Sequence, residues 1–351
     1  MTSRMSRLDR RTFLGTLAGL GGSLVGASAA ADGIAGRYAK LPRPGLLGDV
    51  RVETEVKDKK IFTEGPAVDR NGIVHFTNVP AEKILRWDPA RKRLTVFRSN
   101  SRQANGLLFD PLGRLLACEG GAGRVTRTDM ASGQVEVLAD KFNKFPLAAP
   151  NDLALLKSGR LFFTSRPGTN DPTKGNPNAV YQLDLDTKLP GGRILHRVLA
   201  WPDVHMPNGI VSSPDDKTLY VIEAHPDAGR NRSILAYRLD AADCWKKPRT
   251  LINFAPGRSG DGMCIDAEGN LYVAAGLHKT RKTSETLDTR PGIHVVSPGG
   301  RLLDFARTPV DTITNCAFGG KDLRTLYITC GPYLLSLRTK IPGKAGYRPR
   351  A

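Results

Sequence analysis

Short apolar runs of five or six residues alternate with polar turns along most of the chain, and the alternation repeats. One unit recurs six times: a polar residue, an apolar run, a tight turn and a second apolar run. The copies are EGPAVDRNGIVHFTN from Glu64, NGLLFDPLGRLLACE from Asn105, NDLALLKSGRLFFTS from Asn151, NGIVSSPDDKTLYVIE from Asn208, DGMCIDAEGNLYVAA from Asp261 and NCAFGGKDLRTLYIT from Asn315. Successive copies start 41, 46, 57, 53 and 54 residues apart. In DRNG, DPLG, SPDD and DAEG an Asp caps the turn, and Gly, where present, takes a positive φ. The flanking Val, Ile, Leu, Phe and Tyr suit buried strands. A third strand often follows (KILRWDP, AVYQLDL, SILAYRLD, GIHVVSP), then a fourth (LTVFR, VEVLAD, HRVLA, TLINFA). No segment of the repeat region holds a helical apolar period. Six such units predict an all-β chain: a six-bladed β-propeller with four-stranded antiparallel blades. The last copy has only three strands left, so DVRVETEVKD, at 49–58, is expected to add its outer strand. That closes the ring and covers an open sheet edge.

Composition agrees with a folded globular chain: 351 residues, 40% hydrophobic and 25% charged. At this length a core of useful size is available. The N-terminus reads differently. A basic start, the pair Arg10–Arg11, Phe13–Leu14, a Gly/Ala-rich apolar run and small residues at 27–31 resemble a Tat export signal. Gly19, Gly21, Gly22 and Gly26 interrupt that run, so no stable membrane span is expected. The expected order is a leader over 1–31, a linker over 32–48, the propeller over 49–340 and a tail over 341–351. The expected location is the periplasm or the exterior.

The formal net charge is +18. The Lys and Arg residues are scattered through turns such as ARKRL and HKTRK, with no basic helix and no aromatic-interleaved motif, so no nucleic-acid partner is expected. Five cysteines, without a CxxC, fit no zinc site. Buried thiols are expected, and if two pair, Cys316 and Cys330 are the candidates. No G-x-S-x-G, P-loop or dinucleotide fingerprint is present.

In a propeller the innermost strand of each blade lines the channel. Glu64, Asn105, Asn151, Asn208, Asp261 and Asn315 then form a ring at one channel mouth. Carboxylates and amide carbonyls suit a hard divalent cation. The plainer alternative is that Asn and Asp satisfy backbone groups at strand ends. Glu is a poor turn residue, so Glu64 in TEGPA argues for a role. Gly260 and Gly262, either side of Asp261, are expected to leave room for a metal and substrate near the backbone.

The motifs FTEGPAVD, ANGLLFDPLGRLLACEGG, PNDLALLKSGRLFFTS, PNGIVSSPDDKTLYVIE and DGMCIDAEGNLYVA resemble the gluconolactonase/regucalcin (senescence-marker-protein) family, from about Glu64 to Leu337. The resemblance implies a six-bladed propeller with one divalent metal in its channel and hydrolysis of sugar lactones. It implies Glu64 and Asn208 as ligands, Asp261 as ligand and acid/base, and Asn151 against metal or substrate. The ion would be Ca²⁺ first, with Zn²⁺, Mg²⁺ or Mn²⁺ as alternatives. Asn105, Arg166, His205, His225 and His278 are further candidates for touching a small lactone or sugar-derived substrate.

Departures from the family pattern fall around the substrate. Gly120 stands where relatives often carry His, Ser165-Arg166 replaces the Asp-Pro of FTDP, and Ala149-Pro150 precedes Asn151 in place of an Arg-bearing segment. Glucono-lactone itself is therefore not assumed. Two other classes stay open: a non-catalytic sugar- or envelope-binding propeller with a structural metal, and a metal-dependent esterase or phosphotriesterase. A monomer is expected. The stretch 277–291 reads equally as a lid or a surface insertion.

Overall fold

The computed structural model describes residues 34–42, 45–185, 193–240, 245 and 247–344. The leader expected over 1–31 and Cys244 lie outside the described residues. Six four-stranded antiparallel sheets make up the propeller; five of them have their strands in sequence order, and the sixth takes its outer strand from the N-terminal side. Their inner strands are Thr63–Val68, Ala104–Phe109, Pro150–Leu155, Pro207–Ser212, Gly260–Ile265 and Ile313–Gly319, in blades 1 to 6. Blade 6 is completed by Arg51–Glu55, which pairs antiparallel with Tyr333–Arg338. The six-bladed propeller and its closure by an N-terminal strand are thus as the repeat predicts.

The hairpin turns show the expected chemistry. Asp69 Oδ1 accepts the N–H groups of Asn71 and Ile73 at 2.8 and 2.9 Å. Asp110 and Asp266 do the same in their own turns. In the fourth copy, which lacks the glycine, Asp216 itself takes the left-handed conformation, at φ 58°. Aspartate tolerates that region better than most residues.

Among the described residues the apolar core is divided into six clusters, one at each blade interface. Ala154, Phe162 and Val180 of blade 3, for example, pack on Ile210, Leu219 and Val221 of blade 4. Burial between sheets is what holds the ring together.

Near the start of every inner strand the ladder to the second strand is broken. Pairing skips from Ala104 to Leu107, from Pro150 to Leu153, from Pro207 to Ile210 and from Gly260 to Met263. Asn105, Asn151, Asn208 and Asp261 lie inside these breaks. Glu64 borders one, and so does Asn315. Such bulges turn a side chain away from the regular alternation.

The glycine that follows four of the six ring residues serves the neighbouring blade. A Cβ on Gly65 would lie 2.2 Å from the Asn105 carbonyl oxygen, on Gly106 2.6 Å from that of Asn151, and on Gly209 2.8 Å from that of Asp261. On Gly262 it would lie 2.0 Å from Cγ of Asn315. On Gly260 it would meet Val273 and Ile222 at 2.7 and 2.9 Å. The space beside these two glycines is therefore taken by neighbouring protein, not left for a metal or substrate.

Three further stretches are tied down by contacts that the sequence does not show. Within the expected linker, Tyr38 is buried: its hydroxyl bonds His294 Nε2 at 2.6 Å and accepts the Arg290 N–H at 3.0 Å. Within the expected tail, the Gly343 N–H donates to Leu323 O and the Lys344 N–H to Ile265 O, and Lys344 Nζ reaches Asp216 at 2.9 Å. These residues strap the turns of blades 4, 5 and 6 at the end of the channel opposite the ring. The third is 277–291, which is docked. Thr286 N–H donates to Pro256 O at 3.1 Å, and Thr289 Oγ1 to Phe254 O at 3.1 Å.

The cysteine pairing also differs. Cys316 lies opposite Ile328, not Cys330, and its Sγ is 3.5 Å from that of Cys264. Cys118, Cys264, Cys316 and Cys330 are all free thiols.

Candidate active site

The ring positions converge at the mouth where the inner strands begin. Asn208 and Asp261 come from adjacent blades, and Asn208 Nδ2 lies 2.5 Å from Asp261 Oδ1. Glu64 is 4% exposed, and among the described residues the one hydrogen bond its carboxylate accepts is from the N–H of its own neighbour Gly65, at 3.2 Å. Burial, then the nearby charges of Asp261 and Asp152, push Glu64 well above the usual carboxylate range. Asn151 is half-buried at the same level. Asn105 is half-buried too, and its backbone carbonyl accepts the Thr77 hydroxyl at 3.0 Å.

Asn315 is used differently. Its Nδ2 reaches Asp152 Oδ2 at 3.2 Å, and its Oδ1 accepts the Cys316 N–H at 2.8 Å. Blades 3 and 6 face each other across the ring, so the Asp152–Asn315 bond spans the channel and forms a floor. Below it lies a mostly apolar cavity of about 190 Å³, lined by Ala154, Ile210, Met263, Cys264 and Cys316 among others. Burial pushes Asp152 up to about 7, despite the N–H of Leu153 and the amide of Asn315.

Two arginines close on Asp261. Arg258 Nη2 is 2.5 Å from Asp261 Oδ2, while its Nη1 donates to Ile313 O at 3.2 Å. Arg166 Nη2 is 4.0 Å from Asp261 Oδ1. Burial lowers the Arg166 pKa, against the charges of Asp261 and Glu64, and its buried Nε has no hydrogen-bond partner. Arg166 was a sequence candidate. Arg258 was not, because an arginine three residues before a strand aspartate carries no recognisable pattern.

Glu223 is the other residue the sequence did not mark. It is 1% exposed, and its Oε2 accepts the N–H groups of His205 and Met206 at 2.9 and 3.1 Å. That fixes the loop leading into Asn208. Its Oε1 is buried without a partner. Burial pushes Glu223 up to about 7, with the two N–H groups and Arg166 pulling the other way.

The three histidines stand further out. The rings of His205 and His225 are 6.4 Å apart, and His205 lies 5.1 Å from the Trp201 ring. The His278 N–H donates to Asp311 at 3.3 Å. None of the three makes a hydrogen bond or ion pair with Asp261, Arg166 or Glu64.

Among the described residues, no group of three or more His, Cys, Asp or Glu side chains is arranged to hold a metal. The donor set on offer is instead two carboxylates, Glu64 and Asp261, and two amides, Asn151 and Asn208. It fits a hard cation on two counts. Glu64 is a buried carboxylate with no cation in hydrogen-bond contact and two like charges nearby. A half-turn of the Asn208 amide places its carbonyl oxygen where Nδ2 now stands, 2.5 Å from an Asp261 oxygen. Two oxygens that close need a positive charge between them, a shared cation or a proton.

The profile of the family described as "SMP-30/Gluconolactonase/LRE-like region" matches residues 62–331. A gluconolactonase of Zymomonas mobilis subsp. mobilis is 28% identical over 332 residues, covering 86% of this chain and 85% of that one. Regucalcin of Xenopus laevis is 27% identical, covering 81% and 87%. The solved structure of a gluconolactonase from Xanthomonas campestris superimposes with a TM-score of 0.65 at 26% identity, covering 85% of this chain and 97% of that one.

Proposed function

The chain belongs to the SMP-30/gluconolactonase/LRE-like family, and from that premise we propose that it is a metal-dependent hydrolase that opens a sugar lactone or related cyclic ester. The observation that carries the reading is the convergence of Glu64, Asn208 and Asp261 at one channel mouth above a protein floor. The similarity to two gluconolactonases supports the reaction class.

Glu64, Asn208 and Asp261 would hold the cation, with Asn151 as a fourth donor or a contact to substrate. Calcium is the first candidate because the donors are all oxygens. When bound, such an ion supplies a Lewis acid that polarises the lactone carbonyl and stabilises the oxyanion.

The remaining chemistry belongs to the chain. Asp261 takes a proton from the attacking water as the new C–O bond forms, and returns it to the ring oxygen as the lactone C–O bond breaks. The product is a hydroxy acid. Arg258 grips one oxygen of Asp261 and so fixes its orientation, leaving the other free to face the cation. Arg166 presents N–H groups to the acceptor-rich face of the substrate. The Asp152–Asn315 bond stops the substrate from sinking down the channel.

The test is a panel of five- and six-membered aldonolactones, assayed with and without EDTA, on the native chain and on Asp261→Asn. Turnover should depend on metal, and the variant should lose about 10²–10⁴-fold in kcat. An unimpaired variant refutes Asp261 as the base. Binding without turnover of any lactone or ester would make the protein a binding propeller instead.

A further inference from the structure

Cys264 and Cys316 stand on the inner strands of blades 5 and 6, just past Asp261 and Asn315. Their Sγ atoms are 3.5 Å apart. The two strands approach very closely here, since a Cβ on Gly262 would lie 2.0 Å from Cγ of Asn315. Both residues line the cavity beneath the floor of the site. Cys264 is half-buried and Cys316 buried, so Cys264 is the more accessible thiol. Cys118 and Cys330 are free thiols, and Cys330 Sγ lies against Val310 O at 3.4 Å.

We propose that Cys264 and Cys316 are a site of oxidative cross-linking, joined by exchange with a small-molecule disulfide into a covalent bridge between blades 5 and 6. In the first step Cys264 gives up its proton and attacks one sulfur of the reagent. The reagent's S–S bond breaks, one thiol leaves with a proton, and a mixed disulfide remains on Cys264. Cys316 then attacks the Cys264 sulfur and expels the second thiol. The two protein thiols lose two electrons and two protons; the reagent disulfide gains them as two thiols.

The sulfurs must close from 3.5 Å to about 2 Å. A side-chain adjustment at either cysteine supplies that movement. Burial, then the neighbouring Cys316 thiol, hold the Cys264 thiol above its ordinary range. Exchange is therefore slow, and the finished bridge resists reduction for the same reason. The bridge closes a loop spanning 52 residues. A loop of that order restricts the unfolded chain enough to raise Tm by roughly 5–10 °C.

The test treats the full chain with 2-hydroxyethyl disulfide, alkylates the remaining thiols in denaturant and maps the peptides by mass spectrometry. The expected result is one cross-linked pair containing Cys264 and Cys316, released by dithiothreitol, with the higher Tm. Cys264→Ser and Cys316→Ser should show neither. The proposal is overturned if both cysteines are recovered alkylated. It is equally overturned if either carries only the 2-hydroxyethyl adduct, or if Cys316 is joined to another cysteine. The decisive reading comes from the native sequence, so it does not depend on how the serine variants fold.

Discussion

Replacing Gly262 by Ala tests the claim that this glycine exists for the neighbouring blade. Its backbone lies outside the left-handed region, so alanine costs nothing in conformation. The cost is space. The new methyl would sit 2.0 Å from Cγ, 2.3 Å from Oδ1 and 2.4 Å from Nδ2 of Asn315. Asn315 must move, and the 3.2 Å bond its amide donates across the channel to Asp152 is lost. Overpacking a tight core costs about 1–3 kcal/mol. Losing a hydrogen bond to a buried acid costs about 1.5–3 kcal/mol more. The sum is about 2.5–6 kcal/mol, and at roughly 2 °C per kcal/mol for a chain of this size Tm should fall by about 5–12 °C. Differential scanning calorimetry measures it. Asn315→Ala removes the atoms the methyl meets, so on that background Gly262→Ala should cost less than about 1 kcal/mol. The packing argument is wrong if Gly262→Ala melts within about 2 °C of the native chain. It is also wrong if the glycine substitution costs as much on the Asn315→Ala background as on the native one.

Two further outcomes concern Arg166 in the site and His75 in the core. Arg166→Gln should raise KM for a hydroxylated lactone about 10-fold or more, the value of one charge-assisted hydrogen bond, with a smaller change in kcat; initial rates over a range of lactone concentrations decide it, and an unchanged KM removes Arg166 from the substrate contacts. His75 is 1% exposed, packed edge-on between Phe97 and Phe109, and burial lowers its pKa to about 4. A depressed histidine contributes stability above the unfolded pKa near 6.5, and that stability is lost as pH falls toward 4, because the unfolded chain takes up the proton first. His75→Phe should therefore flatten the acid decline, by about 2–3 kcal/mol between roughly pH 7 and pH 4.5 in urea unfolding; equal slopes for the two chains would refute it.

Most of the ring was legible because repetition exposes it. Six copies of one unit align Glu64, Asn105, Asn151, Asn208, Asp261 and Asn315 without any structural knowledge, and the composite sixth blade follows from a missing strand. What stayed hidden is whatever depends on contacts across blades. Asp152 and Asn315 are 163 residues apart and meet only because blades 3 and 6 face each other. Arg258 points at Asp261 from a connection with no repeat character. Cys316 looked close to Cys330 along the chain, but its sulfur faces the adjacent blade. Tyr38 read as part of a linker because one buried tyrosine in a polar stretch gives no period to detect.

The inner strands also show why the chemistry can change while the propeller stays. In each copy the first residue lies in or beside a break in the ladder, so a polar side chain can stand there without costing a strand hydrogen bond. The second residue faces the next blade at close range and has no such freedom. Four of the six copies place glycine there: Gly65, Gly106, Gly209 and Gly262. Blade 6 has Cys316, which turns its sulfur onto Cys264 and the Tyr272 carbonyl. Blade 3 has Asp152, a buried acid that survives at that position because Asn315 reaches it from the opposite side. The glycines therefore belong to the scaffold and the residues before them to the site. At blade 3 alone the two roles merge, and the acid that fills the gap between blades also supplies the floor on which a substrate would rest.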